Sequence, residues 1–551
     1  MKHFFLAAFA ALNFLFLPAV YSQADTSSEG IHPEKNYKLS EIVVSATRTP
    51  LNAMYAPSRV TRIDVAAMQK SGFDDMQSML SFADGIFVKN YGTGQLATIS
   101  LRGTAAEQTL FLFDGVNLNN IQNGQVDLFL VPVNNLSSIE ISQGGSSALY
   151  GANAVGGVVN LESKISSNDH VRVDVGSGSY GNQIFGGEVS EGLGSARVDL
   201  IVQRQRGIND FDFTFNDGAK NFPMKFAGAD YVEDMQSLKF AFPSSSSSTS
   251  FLIQNVSANR GTPYATSDST LETTARETDK NTITVLKNIG HLGVFNYSAS
   301  AGFIYSYLNY NDPSYATNDY YKTLSLQPSM QLSYFKEQFS IASGIDAELD
   351  RGKSDNMTGI KNRNRVGIFA SGEYDVRKNV DLETRLFGAL RYDDYSQFGN
   401  SLNPKLGINV KPLASFPVHL RANVGTSFRV PTFNDLYYRS QYYNGNPDLK
   451  PERATDYSLG GVVEYGDGQG PFYGDLNLDY YHIDIHDGIV YQTLPDFTGT
   501  EANLKRIVSK GVELSLNIKY ESVFSLKGNH FFGKSSDVSI PGSPSYNKQL
   551  I

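Results

Sequence analysis

The sequence has no cysteine and no tryptophan, and only eight of its 551 residues are histidine. The absence of cysteine excludes a disulfide framework, a thiolate zinc site, a cysteine nucleophile and a lipoprotein anchor. So few histidines leave little material for metal or acid–base chemistry. The formal net charge of -10 argues against a general nucleic-acid binder.

Long apolar runs are missing except at the N-terminus. There a short basic start precedes an apolar stretch over 4–20, and small residues end at Ala24. These parts predict a secretory signal peptide over residues 1–24. A membrane anchor is the alternative, but Pro18 interrupts the stretch. No later window holds the roughly 18–20 apolar residues of a helical span. The mature protein is therefore predicted to be exported, with any membrane crossing made by strands.

Glycine and the aromatic residues are abundant instead, with 49 Gly, 31 Tyr and 35 Phe. From about residue 166 to the end, segments of roughly ten residues alternate apolar with polar side chains. In one such segment Leu382, Leu386 and Leu390 share a face. A soluble sandwich also alternates, but it hides its apolar face in one core. Alternation over the whole of 166–551, after a signal peptide, predicts an all-β transmembrane barrel with a polar interior.

The connections between these segments alternate in length. A low-complexity turn is predicted over 244–250, whereas 207–233, 309–325, 436–456 and 533–546 are long, polar and aromatic. Short turns on one side and long loops on the other are typical of outer-membrane barrels.

Residues 51–165 have a different texture and predict a compact α+β domain. The expected elements are helices over 64–69 and 73–80 and strands over 99–103 and 109–113. A glycine-rich run over 144–157 lacks the Gly-Lys-Ser/Thr ending of a phosphate loop, so tight turns explain it better. Before this domain, residues 25–50 are predicted to be a disordered N-terminus that carries a short apolar patch.

No catalytic cluster is predicted, so the chain is not expected to be an enzyme. His482, Asp484 and His486 share one face of a predicted strand and could in principle hold a metal. Polar residues that face a wet lumen are the simpler explanation. Neither His-Glu-x-x-His nor Gly-x-Ser-x-Gly occurs.

The apolar patch in the N-terminal segment, Ile42-Val43-Val44, has nothing local to pair with. One interpretation is an ordinary edge strand. The other is a peptide that a second protein captures at a sheet edge through main-chain hydrogen bonds.

Several motifs recur in a recognisable order. They are Ile99–Gly103, Leu112–Asn119, Ile139–Ile141, Ala148–Gly151 and Gly156–Asn160 in the α+β domain, and Phe428–Pro431, Asp435–Tyr437, Gly445–Pro447, Leu449–Glu452 and Lys510–Glu513 in the barrel. Over about 40–551 the chain resembles the TonB-dependent outer-membrane receptors, and it is most similar to their vitamin B12 (cobalamin) receptor branch.

The resemblance implies a globular plug, residues 51–165, inside a barrel that has 22 strands in the family. It also implies a monomeric receptor in the outer membrane of a Gram-negative bacterium, with no nucleic-acid partner. TonB, of the TonB-ExbB-ExbD complex, would pull on a TonB box and so drive uptake of a scarce, bulky ligand. The residues that match the box are Glu41, Ile42, Val43, Val44, Ser45 and Ala46.

In the cobalamin branch two plug loops contact the ligand. The matching residues here are Asn90, Tyr91, Gly92, Gln95, Asn117, Asn119, Asn120, Gln122 and Asn123. These loops are amide-rich and suit hydrogen bonding to a corrinoid rather than an anionic siderophore. A ferric-siderophore receptor is the alternative within the class, and a passive porin is the alternative outside it. The absence of His from 432–445 argues against haem.

The same branch orders its loops with calcium, and Asp210, Asp212 and Asp217 are the corresponding acidic residues. Carboxylate oxygens suit calcium, but a solvated acidic loop is the simpler alternative. No other cofactor is expected. The resemblance further implies plug–barrel ion pairing between Arg102 and Glu452 or Glu513.

The barrel is predicted to be incomplete at its C-terminus. Residues 166–551 number 386, or about 17.5 per strand for 22 strands, which is too few for the long loops. Counting alternating segments gives about eighteen strands instead. Ile551 is neither aromatic nor at a predicted strand end. We therefore expect a truncated chain that lacks roughly four C-terminal strands, with an open seam between the first and last strands.

Overall fold

The structure is a computed structural model. It describes residues 43–44, 48–49, 51–216, 218, 220–263, 274–379, 382–413, 417–466, 470–521, 523–539 and 548. The predicted signal peptide, four of the TonB-box residues (Glu41, Ile42, Ser45 and Ala46) and the calcium candidate Asp217 lie outside the described residues.

The first part of the described chain is an α+β domain, which we call the plug. Its strands are β1 (Val43–Val44), β2 (Leu51–Asn52), β3 (Val60–Asp64), β4 (Ile86–Asn90), β5 (Ala97–Leu101), β6 (Thr109–Phe113), β7 (Val116–Asn117), β8 (Leu136–Gln143) and β9 (Gly157–Ser163), and its helices are α1 (Val65–Lys70), α2 (Met76–Ser81) and α3 (Ser147–Tyr150). A mixed sheet runs in the order β3-β8-β9-β6-β7, and β4 pairs with β5.

Both predicted plug helices form, and an aspartate caps each one. The Asp64 side chain accepts a hydrogen bond from the Ala67 N–H, and the Asp75 side chain accepts one from the Ser78 N–H. These bonds satisfy amides that the first turn of a helix leaves unpaired. The second helix therefore begins at residue 76 rather than at 73. Its buried face, Met76, Met79 and Leu80, packs into the plug core.

The second part is one antiparallel sheet of 17 strands in chain order. The strands are β10 (His170–Ser177), β11 (Gln183–Leu193), β12 (Ala196–Gly207), β15 (Tyr231–Pro243), β16 (Ser247–Gly261), β17 (Arg276–Leu292), β18 (Phe295–Asp312), β19 (Thr317–Lys336), β20 (Phe339–Ser354), β21 (Lys361–Asn379), β22 (Leu382–Tyr395), β23 (Gly399–Lys411), β24 (Val418–Arg429), β25 (Glu452–Tyr465), β26 (Phe472–Thr493), β27 (Gly499–Tyr520) and β28 (Phe524–Asp537). A separate hairpin, β13 (Phe211–Asn216) and β14 (Asn221–Phe226), lies between β12 and β15, and helix α4 (Phe433–Tyr437) follows β24.

The two faces of this sheet have the polarity of a membrane barrel. Val366 and Ile368 on β21 are exposed, whereas Arg363 and Arg365 on the same strand are buried. Apolar side chains on the outside and charged side chains within reverse the arrangement of a soluble protein. The predicted outward row Leu382, Leu386 and Leu390 is confirmed as exposed. No helix in the described part of the chain is long and apolar enough to cross a bilayer.

The plug lies within the curve of the 17-stranded sheet. It forms an ion pair and a hydrogen bond with strands near the first and the last edge of that sheet. Lys164 pairs with Glu188 on β11, and the Asn529 side chain on β28 donates to the Phe82 carbonyl. Within the described residues β10 and β28 do not pair with each other. The residues expected to start the next strand, 547–551, lie almost entirely outside the described part.

The strands are longer than the sequence pattern predicted. The expected loop over 309–325 is mostly strand, because β18 and β19 continue up to a short connection at 313–316. Residues 533–537 likewise belong to β28. Tyr- and Asn-rich stretches keep their cross-strand hydrogen bonds outside lipid, so polarity alone does not mark a strand end. The strand ends that flank the remaining long connections, 208–230, 262–275 and 430–451, lie at one rim of the barrel.

Strand β26 also corrects the predicted direction of a face. Tyr481, Ile483 and Ile485 are buried and pack with Val155 of the plug, so His482 and its polar neighbours point away from the lumen. The sequence predicts the alternation, but the predicted lumen-facing direction of His482, Asp484 and His486 is wrong. At this level the plug offers an apolar surface to the barrel wall.

Candidate functional site

The two predicted ligand loops of the plug lie at the rim that carries the long connections. The Gln95 side chain donates a 3.0 Å hydrogen bond to the Gly261 carbonyl at the end of β16. The Gln122 side chain donates to the side chain of Asn434 in α4. The loops therefore converge on one end of the barrel, although about 20 residues of chain separate them.

The first loop presents its apex to the outside. Asn90 and Tyr91 are exposed, and the side-chain oxygen Oδ1 of Asn90 accepts a 2.7 Å hydrogen bond from the Gly92 N–H. Gly94 has a φ of +76°, and a Cβ there would lie 2.2 Å from the Tyr231 ring. A glycine is thus required for this close approach of the loop to the barrel wall.

The second loop is built around Asn119. Its side-chain amide donates to the carbonyls of Thr109 and Gly124, each at 2.9 Å, and its oxygen accepts from the Phe111 N–H. Asn119, Gln95 and Gln122 are all buried, and the NH2 group of each side chain donates a hydrogen bond within the protein. Sequence reasoning did not separate these supporting amides from exposed ones.

The remaining residues of the second loop face accessible space. Asn123 is exposed, and Asn117 and Asn120 are half-buried. Asn117 and Asn120 line a small cavity between the plug and the barrel wall, and its other polar lining residues include Asn153, Glu348, Arg363 and Thr432. The Asn153 side-chain oxygen is buried there without a hydrogen-bond partner. The sequence gives no indication that Glu348 and Arg363 lie near this loop, because only the strand register brings them there.

Asp127 holds the bases of both loops against the barrel. One carboxylate oxygen accepts 3.1 Å hydrogen bonds from the N–H groups of Ala97 and Phe129, and the other lies 2.7 Å from the Arg260 guanidinium on β16. Ala97 follows the first loop, and Asp127 itself follows the second. Burial raises the pKa of this carboxyl, while the Arg260 charge acts in the opposite direction.

We expect Asp127→Ala to weaken ligand binding roughly tenfold, because it removes a charged hydrogen bond and two backbone caps. Asp127→Asn keeps a backbone acceptor and loses the charge, so its effect should be smaller. Titrating each purified variant with the ligand measures both affinities and tests whether Asp127→Ala has the larger effect. Equal and unchanged affinities would contradict the assigned role.

A fully buried plug–barrel ion pair joins Arg102 to Glu513 on β27. The guanidinium donates two hydrogen bonds to the carboxylate, at 3.1 and 2.8 Å, and the Ser509 hydroxyl donates to the Arg102 carbonyl at 2.6 Å. Burial alone would lower the pKa of Arg102, but the Glu513 charge and these hydrogen bonds raise it overall. Glu452, the other predicted partner, instead pairs with Arg429 and accepts a 2.7 Å hydrogen bond from plug residue Gln108.

The N-terminal strand β1 is not without a partner, contrary to the sequence interpretation. Val43 and Val44 pair antiparallel with Asn52 and Leu51. A little further on, the Arg48 guanidinium donates a 2.9 Å hydrogen bond to the Leu149 carbonyl of the plug. Two residue pairs make a weak ladder, so this strand is paired but readily released.

The two described calcium candidates are Asp212 on β13 and Asp210 directly before it. Asp210 forms a 2.8 Å ion pair with Lys225, which is also the cross-strand neighbour of Asp212. Asp484 forms a 2.6 Å ion pair with Arg506. Across the described residues, no three His, Asp or Glu side chains come together in a metal-binding arrangement.

A barrel with an apolar outer belt, a plug bonded to its wall and exposed plug loops at one rim defines a plugged membrane receptor. A family model for the TonB-dependent receptor-like β-barrel matches residues 157–547, and one for the TonB-dependent receptor plug domain matches 52–158. The chain belongs to the TonB-dependent receptor family.

Two curated relatives are vitamin B12 transporters named BtuB. The chain is 25% identical to that of Photobacterium profundum over 485 residues, which covers 83% of this chain and 71% of the relative. It is 23% identical to that of Vibrio vulnificus over 508 residues, covering 88% and 76%.

Solved receptors share the fold. The ferric enterobactin receptor PfeA of Pseudomonas aeruginosa superposes with a TM-score of 0.69 at 16% identity, covering 90% of this chain and 82% of that one. The siderophore receptor PirA of Acinetobacter baumannii gives 0.66 at 19% identity, covering 87% and 80%. These likenesses concern architecture alone.

Proposed function

We propose that the protein imports a corrinoid, with cobalamin as the first choice, across the outer membrane of a Gram-negative bacterium. The observation that carries this proposal is the neutral, amide-rich surface of the two plug loops. Asn90, Tyr91 and Asn123 are exposed there, and Asn117 and Asn120 line the cavity beside them. A corrinoid bears peripheral amides that such groups can bind by hydrogen bonds. The two BtuB relatives support the same choice.

A ferric siderophore is the alternative ligand, and it would call for free cations. Arg363 does line the cavity, but its guanidinium lies 3.3 Å from the Asp350 carboxylate. Lys89 stands near the first loop with its ammonium 5.2 Å from the centroid of the Tyr91 ring. Neither arrangement offers the cluster of unpaired charge that an anionic iron complex needs. This comparison favours the neutral ligand.

Energy coupling forms the second half of the proposal. Members of this family depend on TonB, and β1 offers the extended main chain that a partner strand could pair with. Release of Val43 and Val44 from Leu51 and Asn52 would make that main chain available. The ligand would be bound at the outer rim and passed inward when TonB pulls on the N-terminal segment.

Titration of the purified receptor with cyanocobalamin tests the ligand. We expect binding in the nanomolar-to-micromolar range, tighter with calcium if Asp210, Asp212 and Asp217 hold the ion. A change of Asn120 and Asn123 to aspartate, which preserves their size, should weaken binding by introducing charge. A ferric tris-catecholate complex serves as the competing probe. Tight binding of that complex without binding of any corrinoid would overturn the choice of ligand.

A further inference from the structure

Four cations lie on the outer face of the barrel at the long-loop ends of β17, β19 and β20. They are Lys280, Lys322, Arg351 and Lys353, here called the cation row, and all four are exposed. The four side chains point outward because the residues next to them in each strand point to the lumen, and successive side chains of a strand point to opposite faces. Asp279 and Thr323 are buried on the lumen side, and a Cβ on Gly352 would lie 2.6 Å from Phe433.

The strand register brings these charges close together. Lys322 on β19 lies directly opposite Lys353 on β20, and Tyr307 on β18 lies between Lys280 and Lys322. Adjacent strands are about 4.8 Å apart, so the row spans only about 15 Å. Like charges directly opposite each other on a sheet repel. The arrangement is therefore unfavourable unless an anion lies over it.

Some outward cations on other strands have acidic partners. Arg204 forms a 2.7 Å ion pair with Asp234, and Arg276 forms a 3.0 Å ion pair with Asp230. Within the described residues, by contrast, no ion pair includes a member of the cation row. The Lys322 ammonium instead lies over aromatic rings, 5.4 and 5.1 Å from the ring centroids of Tyr307 and Tyr320.

The level of the row relative to lipid is set by the side chains below it. Leu324 and Leu326 continue the outward face of β19, and Leu349 and Ile345 continue that of β20; all four are exposed. They belong to the apolar belt that contacts acyl chains. Tyrosines mark the interface at the top of such a belt. The cation row thus lies at the height of the lipid headgroups in the leaflet on the long-loop side.

We propose that the cation row binds the phosphate groups of a phosphorylated lipid in the outer leaflet, whose acyl chains lie along the belt beneath. The occupant must be anionic at the level of Lys322 and Lys353 and apolar at the level of Leu324 and Leu349. A phosphorylated lipid meets both demands. A soluble phosphate ion meets only the first, and the apolar belt gives it no further contact.

Native mass spectrometry of the full chain, titrated with lipid A that carries two phosphates, tests this site. The test variant replaces both Lys322 and Lys353 by glutamine. Each lysine near an anionic headgroup contributes about 1 kcal/mol, so we expect the affinity to fall roughly 10- to 30-fold. The matched control is Lys336→Gln, because Lys336 is exposed on the same face of β19 at the opposite rim. It should bind like the unchanged protein.

Two further probes identify the chemistry. Dephosphorylated lipid A should bind the unchanged protein about as weakly as phosphorylated lipid A binds the double variant. Millimolar inorganic phosphate should not displace bound lipid A. Circular dichroism of both variants verifies that the barrel folds. Equal binding by the double variant, equal binding of the dephosphorylated lipid, or full displacement by free phosphate would each overturn the proposal.

Discussion

Glu513→Ala is expected to loosen the plug within the barrel, with a loss of about 3–5 kcal/mol in the free energy of plug docking. The variant leaves the Arg102 guanidinium buried without its carboxylate, since both side chains are almost fully inaccessible to solvent. Water cannot replace the lost partner at this depth. Conductance in planar bilayers with rising urea measures the effect, because a loosened plug opens the channel at a lower urea concentration.

A double replacement distinguishes the loss of the ion pair itself from the cost of leaving the Arg102 charge buried without a partner. Arg102→Met combined with Glu513→Leu removes both charges and keeps an apolar filling, so most of the stability should return. Ser515→Ala on the same strand is the control, as it removes a polar contact made by Arg59 and leaves the Arg102 pair intact. If Glu513→Ala opened at the same urea concentration as the unchanged protein, the pair would have no role in holding the plug.

The parts of this fold that could be predicted depend on local pattern or on motif. Alternation in 382–392 predicts the correct outward face, and both plug helices are predicted, although the second begins at residue 76 rather than at 73. The family resemblance implied Glu452 or Glu513 as the partner of Arg102, and Arg102 pairs with Glu513, which lies more than 400 residues away. Such features are carried by short stretches of chain or by family resemblance, so a single sequence is enough to show them.

The features that were missed depend on register and on which surface a strand meets. Glu348 and Arg363 reach the plug loop only because of how β20 and β21 align with the plug. Tyr481 turns inward because the plug is apolar at that height, which alternation alone cannot reveal. Asp127 shows no motif, yet it joins two loops and a strand that are distant in sequence.

Energy coupling is tested at β1, whose two residue pairs join Val43 and Val44 to Asn52 and Leu51. A partner that adds a strand here must either pair with the other edge of β1 or displace β2. In either case the main-chain N–H of the box is the group on which capture depends. The ligand loops at the other rim share no hydrogen bond with this strand in the described residues.

Val44→Pro should abolish uptake and leave ligand affinity unchanged, because proline removes the backbone donor while the ligand loops stay as they are. Accumulation of labelled cyanocobalamin in cells, set beside its equilibrium binding to the purified variant, measures both quantities. Val44→Ala is the matched control: it shortens the side chain and keeps the N–H, so it should retain most of the uptake. A proline variant that still accumulates ligand at the normal rate would show that TonB does not engage the chain through Val44, whereas loss of binding as well would mean that β1 supports the ligand site directly.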